Sequence, residues 1–278
     1  MLHPIACIPF ILGMVLFFAI LPVILFTPAN VIAEKAPWIL TLLASSIKIT
    51  WSVIDCDIRM LEPFYILSRR HAPASALTLD YTGTIWGWLP IKAARNGHYL
   101  MAMVAFCAVM TEILTVCVSA FGVKGTTFLP AFARPKQPPG NNSPADASFT
   151  GEETFKSFWT TFLLSLVILV ILIVTAIIVL MRRRHPFIPR DPSTIASVLA
   201  FIHQSKMLWD FVDTEQMDEQ AMETHLKGFG KKYGLGWFRG RDGEEHCGVD
   251  EEDLLSSYRH GEAFADAVRP WNENWGEY

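Results

Sequence analysis

Charge is what this chain has least of where it matters: none of the 24 residues at 158–181 is Asp, Glu, Lys or Arg. A soluble core helix needs no unbroken apolar run of that length. A hydrocarbon layer about 30 Å thick does, because about 20 residues at 1.5 Å each are needed to cross it. Catalytic signatures are missing as well. There is no Cys-x-x-Cys, no His-x-x-x-His, no Gly-x-Ser-x-Gly elbow and no zinc-protease motif, so nothing in the spacing supports a metal centre or a hydrolase. The expectation is no catalytic residue, no metal and no cofactor. Gly228-Phe229-Gly230-Lys231-Lys232-Tyr233-Gly234 superficially resembles a phosphate loop but lacks the Lys followed by Ser or Thr. His203, His225, His246 and Cys247 share no ligand spacing and read as solvent-facing or packed side chains.

Cysteine is sparse too. The five are Cys7, Cys56, Cys107, Cys117 and Cys247, and none falls in the long loop expected outside the cytosol, which argues against a disulfide framework. Cys56, at the cytoplasmic end of a span, is a candidate palmitoylation site; an unmodified buried thiol is the plainer alternative.

What is present divides in two. Of the 278 residues 51% are hydrophobic, yet residues 191–278 hold eight Lys or Arg against 18 Asp or Glu, net −10, while 1–190 are net +6. A segment of such negative sign is a poor partner for nucleic acid and is repelled by an anionic membrane surface, whereas the 182–190 neck is drawn to one. The apolar half reads as four membrane spans at about 5–26, 37–54, 99–121 and 158–181, which makes 1–190 a transmembrane region and 191–278 an acidic tail. The first stretch, near Val31-Ile32-Ala33, has a secretory signal as its competing reading; it has no Lys or Arg before it and is long for such a signal. Arg182, Arg183 and Arg184 directly follow the last span and set its direction, since Lys and Arg beside a span stay in the cytosol. Both termini and the 55–98 loop are then cytoplasmic, and 122–157 lies outside. Plasma membrane and endomembrane are not distinguishable. The outside loop is rich in Pro and Asn after Phe132, reads as disordered, and carries a glycosylation sequon at Asn141.

The tail reads as a small α+β region: a helix from Asp191-Pro192 to about Leu208, a second from Thr214 to about Lys227, and a hairpin turning at Asp242-Gly243. The acids of 250–253 are expected to open a last helix running through Tyr258. The fold class expected is therefore an all-α membrane protein with about four transmembrane helices and a small cytosolic α+β tail.

Lys48 and Glu112 are charges inside spans, where an ionisable group is costly enough to need a partner or a polar path. Counted from the outer ends of their spans they lie at similar depths, about 16 Å and about 14 Å at helical rise. An interhelical ion pair is expected. The alternatives are a snorkelling Lys48 with Glu112 satisfied by Thr50, Thr111 or the backbone, and a transport path through both. Ala102, Ala105, Ala108 and Ser119 form a small-residue stripe on the third span through which a second copy could pack.

Glu62-Pro63-Phe64, Asp80-Tyr81, Leu89-Pro90 and the run Pro189-Arg190-Asp191-Pro192-Ser193-Thr194-Ile195-Ala196 are specific beyond composition. With Trp86-Gly87-Trp88, the stretch from Leu61 onward has the make-up of a re-entrant or surface-lying segment, against a plain cytosolic loop. These elements resemble the repeated module of fungal multi-pass membrane proteins grouped as domain of unknown function 3433, over most of the chain from about Pro37 to Tyr258. The resemblance implies a fungal membrane protein with a cytoplasmic tail and no established activity, so no site residue carries over. It also implies relatives that are commonly longer, with the module more than once; a single copy here points to a partial gene product or a half-protein that needs a partner. The function expected is a scaffold or assembly component whose partners are the bilayer and another membrane protein or a second copy, with a transporter or channel subunit as the alternative.

Overall fold

The computed structural model describes residues 4–26, 36, 38–85, 87–128, 144–182 and 187–260. The chain divides into two units, Met1–Cys56 with Ile85–Arg184, and Asp57–Thr84 with His185–Tyr278.

The first unit is helical. Its long helices are α1 (Pro4–Phe26), α2 (Trp38–Ser68, whose residues from Asp57 on count with the second unit), α4 (Tyr99–Phe128) and α5 (Pro144–Arg182), with a short α3 (Leu89–Arg95) between α2 and α4. Four helices are long and apolar enough to cross a membrane, over Ile5–Ile24, Trp38–Ser68, Tyr99–Ala120 and Phe158–Arg182. Helix is the form such sequences must take, because lipid offers no hydrogen bonds and the backbone has to satisfy its own. Each helix buries a stripe and leaves the rest apolar and open. On α1, Cys7, Met14, Phe17, Leu21 and Ile24 are buried while Ile5, Ile8, Leu12 and Leu16 are exposed, which would be untenable in water and is ordinary in lipid. Trp51 is the keystone of α2: fully buried, it lies 6.3 Å from the Phe10 ring of α1 and donates its Nε1–H to the Val104 carbonyl of α4 at 3.2 Å. Contacts of α5 with α1 and α4, including a Cys107 to Thr175 hydrogen bond of 3.3 Å, close this unit.

Three helix boundaries differ from the span ends expected from sequence. The apolar run of the second span stops at Ile54, but α2 continues through Asp55, Asp57, Arg59 and Glu62 to Ser68. Charges mark where a helix would leave hydrocarbon, not where its hydrogen bonding must end. Pro63 costs one backbone bond and is passed within two turns of the helix end. Similarly, α4 extends to Phe128 and α5 begins at Pro144, so helix enters both ends of the expected 122–157 loop. Asn141, Arg183, Arg184 and the Val31–Ala33 stretch lie outside the described residues.

The second unit is α+β. Strand β1 (Tyr233–Arg239) is central, with β2 (Glu245–Glu251) and β3 (Ser256–Ser257) antiparallel on either side. Leu235 pairs with Val249, Trp237 with Cys247 and Gly236 with Ser257. The hairpin turns where Asp242-Gly243 signals it, Gly243 sitting at φ +86°, a conformation only glycine takes freely. Helix α6 (Ile195–Ile202) is started by Thr194, whose hydroxyl accepts the Ser197 N–H at 3.2 Å, three residues later than the Asp191-Pro192 pair suggests. It crosses β2 at Gly248, where a Cβ would lie 2.0 Å from the Phe201 carbonyl oxygen. A 3-10 turn (Lys206–Phe211) and α7 (Glu219–Gly228) follow.

The helix expected to begin at Asp250 is absent; β2 runs on to Glu251 and β3 follows. Asp250 does not cap its own segment. It is 2% exposed, and its Oδ1 accepts from the Ser205 hydroxyl at 2.7 Å and from the amides of Lys206 and Met207 at 2.9 and 3.0 Å. A carboxylate committed to donors more than 40 residues away is not available to a local helix start. Residues 57–84 also belong to this unit rather than forming a separate loop: Ala72 exchanges both backbone hydrogen bonds with Tyr233, and the turn at Ala74–Ala76 packs on α7.

Candidate functional site

Helix α2 carries Thr41, Ser45, Lys48 and Ser52 at spacings of four, three and four residues, so they share one stripe. Helix α4 carries Glu112, Thr115 and Ser119 in the same fashion. The two stripes meet at their charges, with Lys48 Nζ 2.7 Å from Glu112 Oε2. Neighbouring hydroxyls spend their protons on their own helices: Thr50 donates to the Ser46 carbonyl at 2.9 Å, Thr111 to Ala108 at 2.7 Å and Thr115 to Thr111 at 2.9 Å. None of these takes the place of the ion pair. Fractional exposure decides what kind of pair this is: 35% for the Lys48 side chain and 46% for Glu112. The pair lies at the margin of its unit rather than inside it. Chemically it neutralises two charges that lipid would penalise, and it leaves polar atoms facing outward.

The other residues singled out in the sequence are scattered. Cys56 is an exposed free thiol on α2, and Arg182 closes α5 in an exposed position. Asp80 forms a local turn, accepting from the Thr82 amide and hydroxyl, both at 2.7 Å. Tyr81 and Glu62 are buried, and the Phe64 ring lies 5.5 Å from that of Phe201, the two planes inclined at 44°. Leu61 to Ser68 of this stretch are the end of helix α2, and Glu62, Phe64, Asp80 and Tyr81 make contacts within the protein.

The second unit holds polar clusters that no sequence spacing announces. Lys231 reaches Asp210 at 2.8 Å and Glu251 at 2.6 Å, and the Tyr233 hydroxyl donates to Asp210 at 3.3 Å. Burial works against the Lys231 ammonium, but its bonds to Asp210 and Glu251 outweigh it and raise the pKa. Burial, then the Asp210 charge, pushes Tyr233 up to about 12. His71 is held by Glu252 at both its backbone N–H and its ring, the Nδ1 to Oε2 distance being 2.5 Å. On the hairpin, His246 Nε2 lies 2.8 Å from Asp242 and its ring 5.4 Å from that of His203. Asp242 is held below the usual carboxylate range: slight desolvation opposes this, and the His246 bond and the Glu244 amide outweigh it. Burial raises the Cys247 thiol to about 12, which makes it an inert thiol rather than a nucleophile. Among the described residues, no group of three His, Cys, Asp or Glu side chains could hold a metal ion. Partners in these clusters are four to 181 residues apart, so only the Asp242 to His246 spacing was open to sequence reading.

Residues 36–122 match the family model described as "Protein of unknown function (DUF3433)". The match spans α2, α3 and most of α4, and ends well before the tail pattern at Pro189 to Ala196, so the resemblance is secured over a shorter reach than the motifs suggest. No curated protein and no solved structure matches the chain.

Proposed function

We propose, for a chain that carries a module of this family and four helices able to cross a membrane, that it serves as a scaffold or assembly component within the bilayer. The observation that carries this reading is the half-exposed Lys48 to Glu112 pair. Facing lipid, two ionised groups near mid-span are expensive even when paired; against a helix of another membrane protein or of a second copy, the same groups and the flanking Ser52, Thr115 and Ser119 become interface. Arginines after α5 hold both termini in the cytosol, where the tail of net −10 stands clear of the anionic leaflet.

The same exposure also suits the second reading, a transporter or channel subunit with water reaching the pair. Ser52→Cys in a background lacking the native cysteines separates the two. The scaffold reading expects slow labelling by a membrane-impermeant maleimide and loss of a co-purifying membrane partner, or of a differently tagged second copy, on Glu112→Gln. Rapid labelling from the water phase, with assembly unchanged in Glu112→Gln, would sink it and favour transport.

A further inference from the structure

Helix α6 has no charged or amide side chain anywhere in its eight residues. A helix of that kind belongs in a core, yet one side of it is uncovered. Phe201 is buried, its backbone lies against β2 at Gly248, and its ring is 5.5 Å from that of Phe64. Ile195, Val198 and Leu199 stand at i, i+3 and i+4, which is one face of a helix, and they are 81%, 36% and 54% exposed. Folding thus leaves a second apolar stripe on the outside of this unit, separate from the side that packs. The charge beside it differs from that of the tail as a whole. From Arg182 to Lys206 there are five Lys or Arg against one acid, Asp191, net +4; Asp191 and Lys206 cancel within the tail, whose net −10 falls on 207–278. Arg190 and Lys206, before and after α6 in the chain, are exposed. At the C-terminal end of the helix the Arg241 guanidinium donates to the His203 carbonyl, and Asp242 beside it is engaged by His246 at 2.8 Å. An uncharged stripe flanked by cations suits the boundary between hydrocarbon and anionic headgroups, where apolar side chains enter and Lys and Arg stay with the phosphates. The connection favours the same occupant. Ile195 follows Arg182, the last residue of the membrane-crossing α5, by 13 residues, so it stays within about 45 Å of it even at full extension. Docking on the bilayer is then an intramolecular step at an effective concentration of order millimolar, for which a short stripe suffices.

We propose that α6 lies on an anionic bilayer surface through Ile195, Val198 and Leu199, with Arg190 and Lys206 at the headgroups and the acidic remainder of the tail held off the surface. The test uses the full-length chain, one copy per nanodisc, in a background lacking the native cysteines, with a nitrobenzoxadiazole label on Ile195→Cys. In discs of phosphatidylcholine and phosphatidylserine the label should emit as in an apolar medium and be quenched by a lipid spin-labelled on its upper acyl chain. The same label on Thr224→Cys, an exposed position of α7, should stay unquenched. Leu199→Glu, which alters the open stripe and leaves the packed side intact, should abolish the quenching. Arg190→Gln with Lys206→Gln should lower the docked-to-free ratio roughly 30-fold, and Arg190→Lys with Lys206→Arg should keep it. Both faces of a disc carry the same lipids, so the result is independent of the tail's orientation in the cell and of the scaffold reading. A label that emits as in water, equal quenching at Thr224, quenching unmoved by Leu199→Glu or by loss of the two cations, or shielding that needs a second copy in the disc would each overturn the proposal.

Discussion

Asp250 shows how one residue read correctly as an acid can be read wrongly as to its work. Its Oδ1 gathers three donors from Ser205 to Met207 and so ties the end of β2 to the turn after α6. Removing a buried, hydrogen-bonded carboxylate leaves those donors orphaned, and Asp250→Ala is expected to destabilise the tail by about 3 kcal/mol. Asp250→Asn keeps an oxygen in the same place and should cost about 1 kcal/mol. Hydrogen exchange of the amides of Lys206 and Met207 in the detergent-solubilised chain reads the difference directly; equal exchange in the two variants would refute the capping role. Tyr233 makes a second residue-scale statement. Its folded pKa is raised from 10.0 to about 12, so the stabilisation it reports is complete below pH 10 and drains away as pH rises towards 12. Lys231, also raised, has the same sign: its contribution is present below its unfolded pKa and lost as pH climbs through the folded one. The tail should accordingly hold through neutral and mildly alkaline pH and loosen above about pH 10. Tyrosinate absorbance should show a late-titrating tyrosine that disappears in Tyr233→Phe.

At the scale of elements, the decisive contact is α6 across β2. Gly248 exists there because the Phe201 carbonyl comes within 2.0 Å of where a Cβ would stand, and backbone cannot swing aside as a side chain can. Gly248→Ala is expected to lift α6 from the sheet at a cost of about 3 kcal/mol, detected as faster maleimide labelling of Cys247, the neighbour on β2. Unchanged labelling would mean the helix is free to shift. Helix α2 carries the opposite lesson. Its apolar portion was visible from composition, but its last 14 residues were not, because Asp55, Asp57, Arg59 and Glu62 look like the end of a span. They are the end of what lipid would accept, while helical hydrogen bonding continues through them to Ser68.

For the whole molecule, the proposed direction in the membrane is a prediction of its own. Protease added to sealed, right-side-out vesicles should leave the C-terminal tail intact, and glycosidase added to that same outer face should change the mobility of the wild-type chain but not of Asn141→Gln; digestion of the tail would reverse the topology. Four apolar runs dictated as much of the architecture as local chemistry can, because the bilayer imposes a length and a solvent that any helix must meet alone. The hairpin was legible for a similar reason, Asp242-Gly243 between alternating apolar residues being a local signal. Which stripe of α2 meets which stripe of α4, and hence that Lys48 and Glu112 sit 2.7 Å apart at an open margin, depends on how whole helices pack. So do the Asp210, Lys231 and Glu251 network, the His71 grip on Glu252 and the inward turn of Asp250. Their partners lie far apart in the chain, and a carboxylate's neighbours are decided by packing energy summed over many side chains, to which no short stretch of sequence has access.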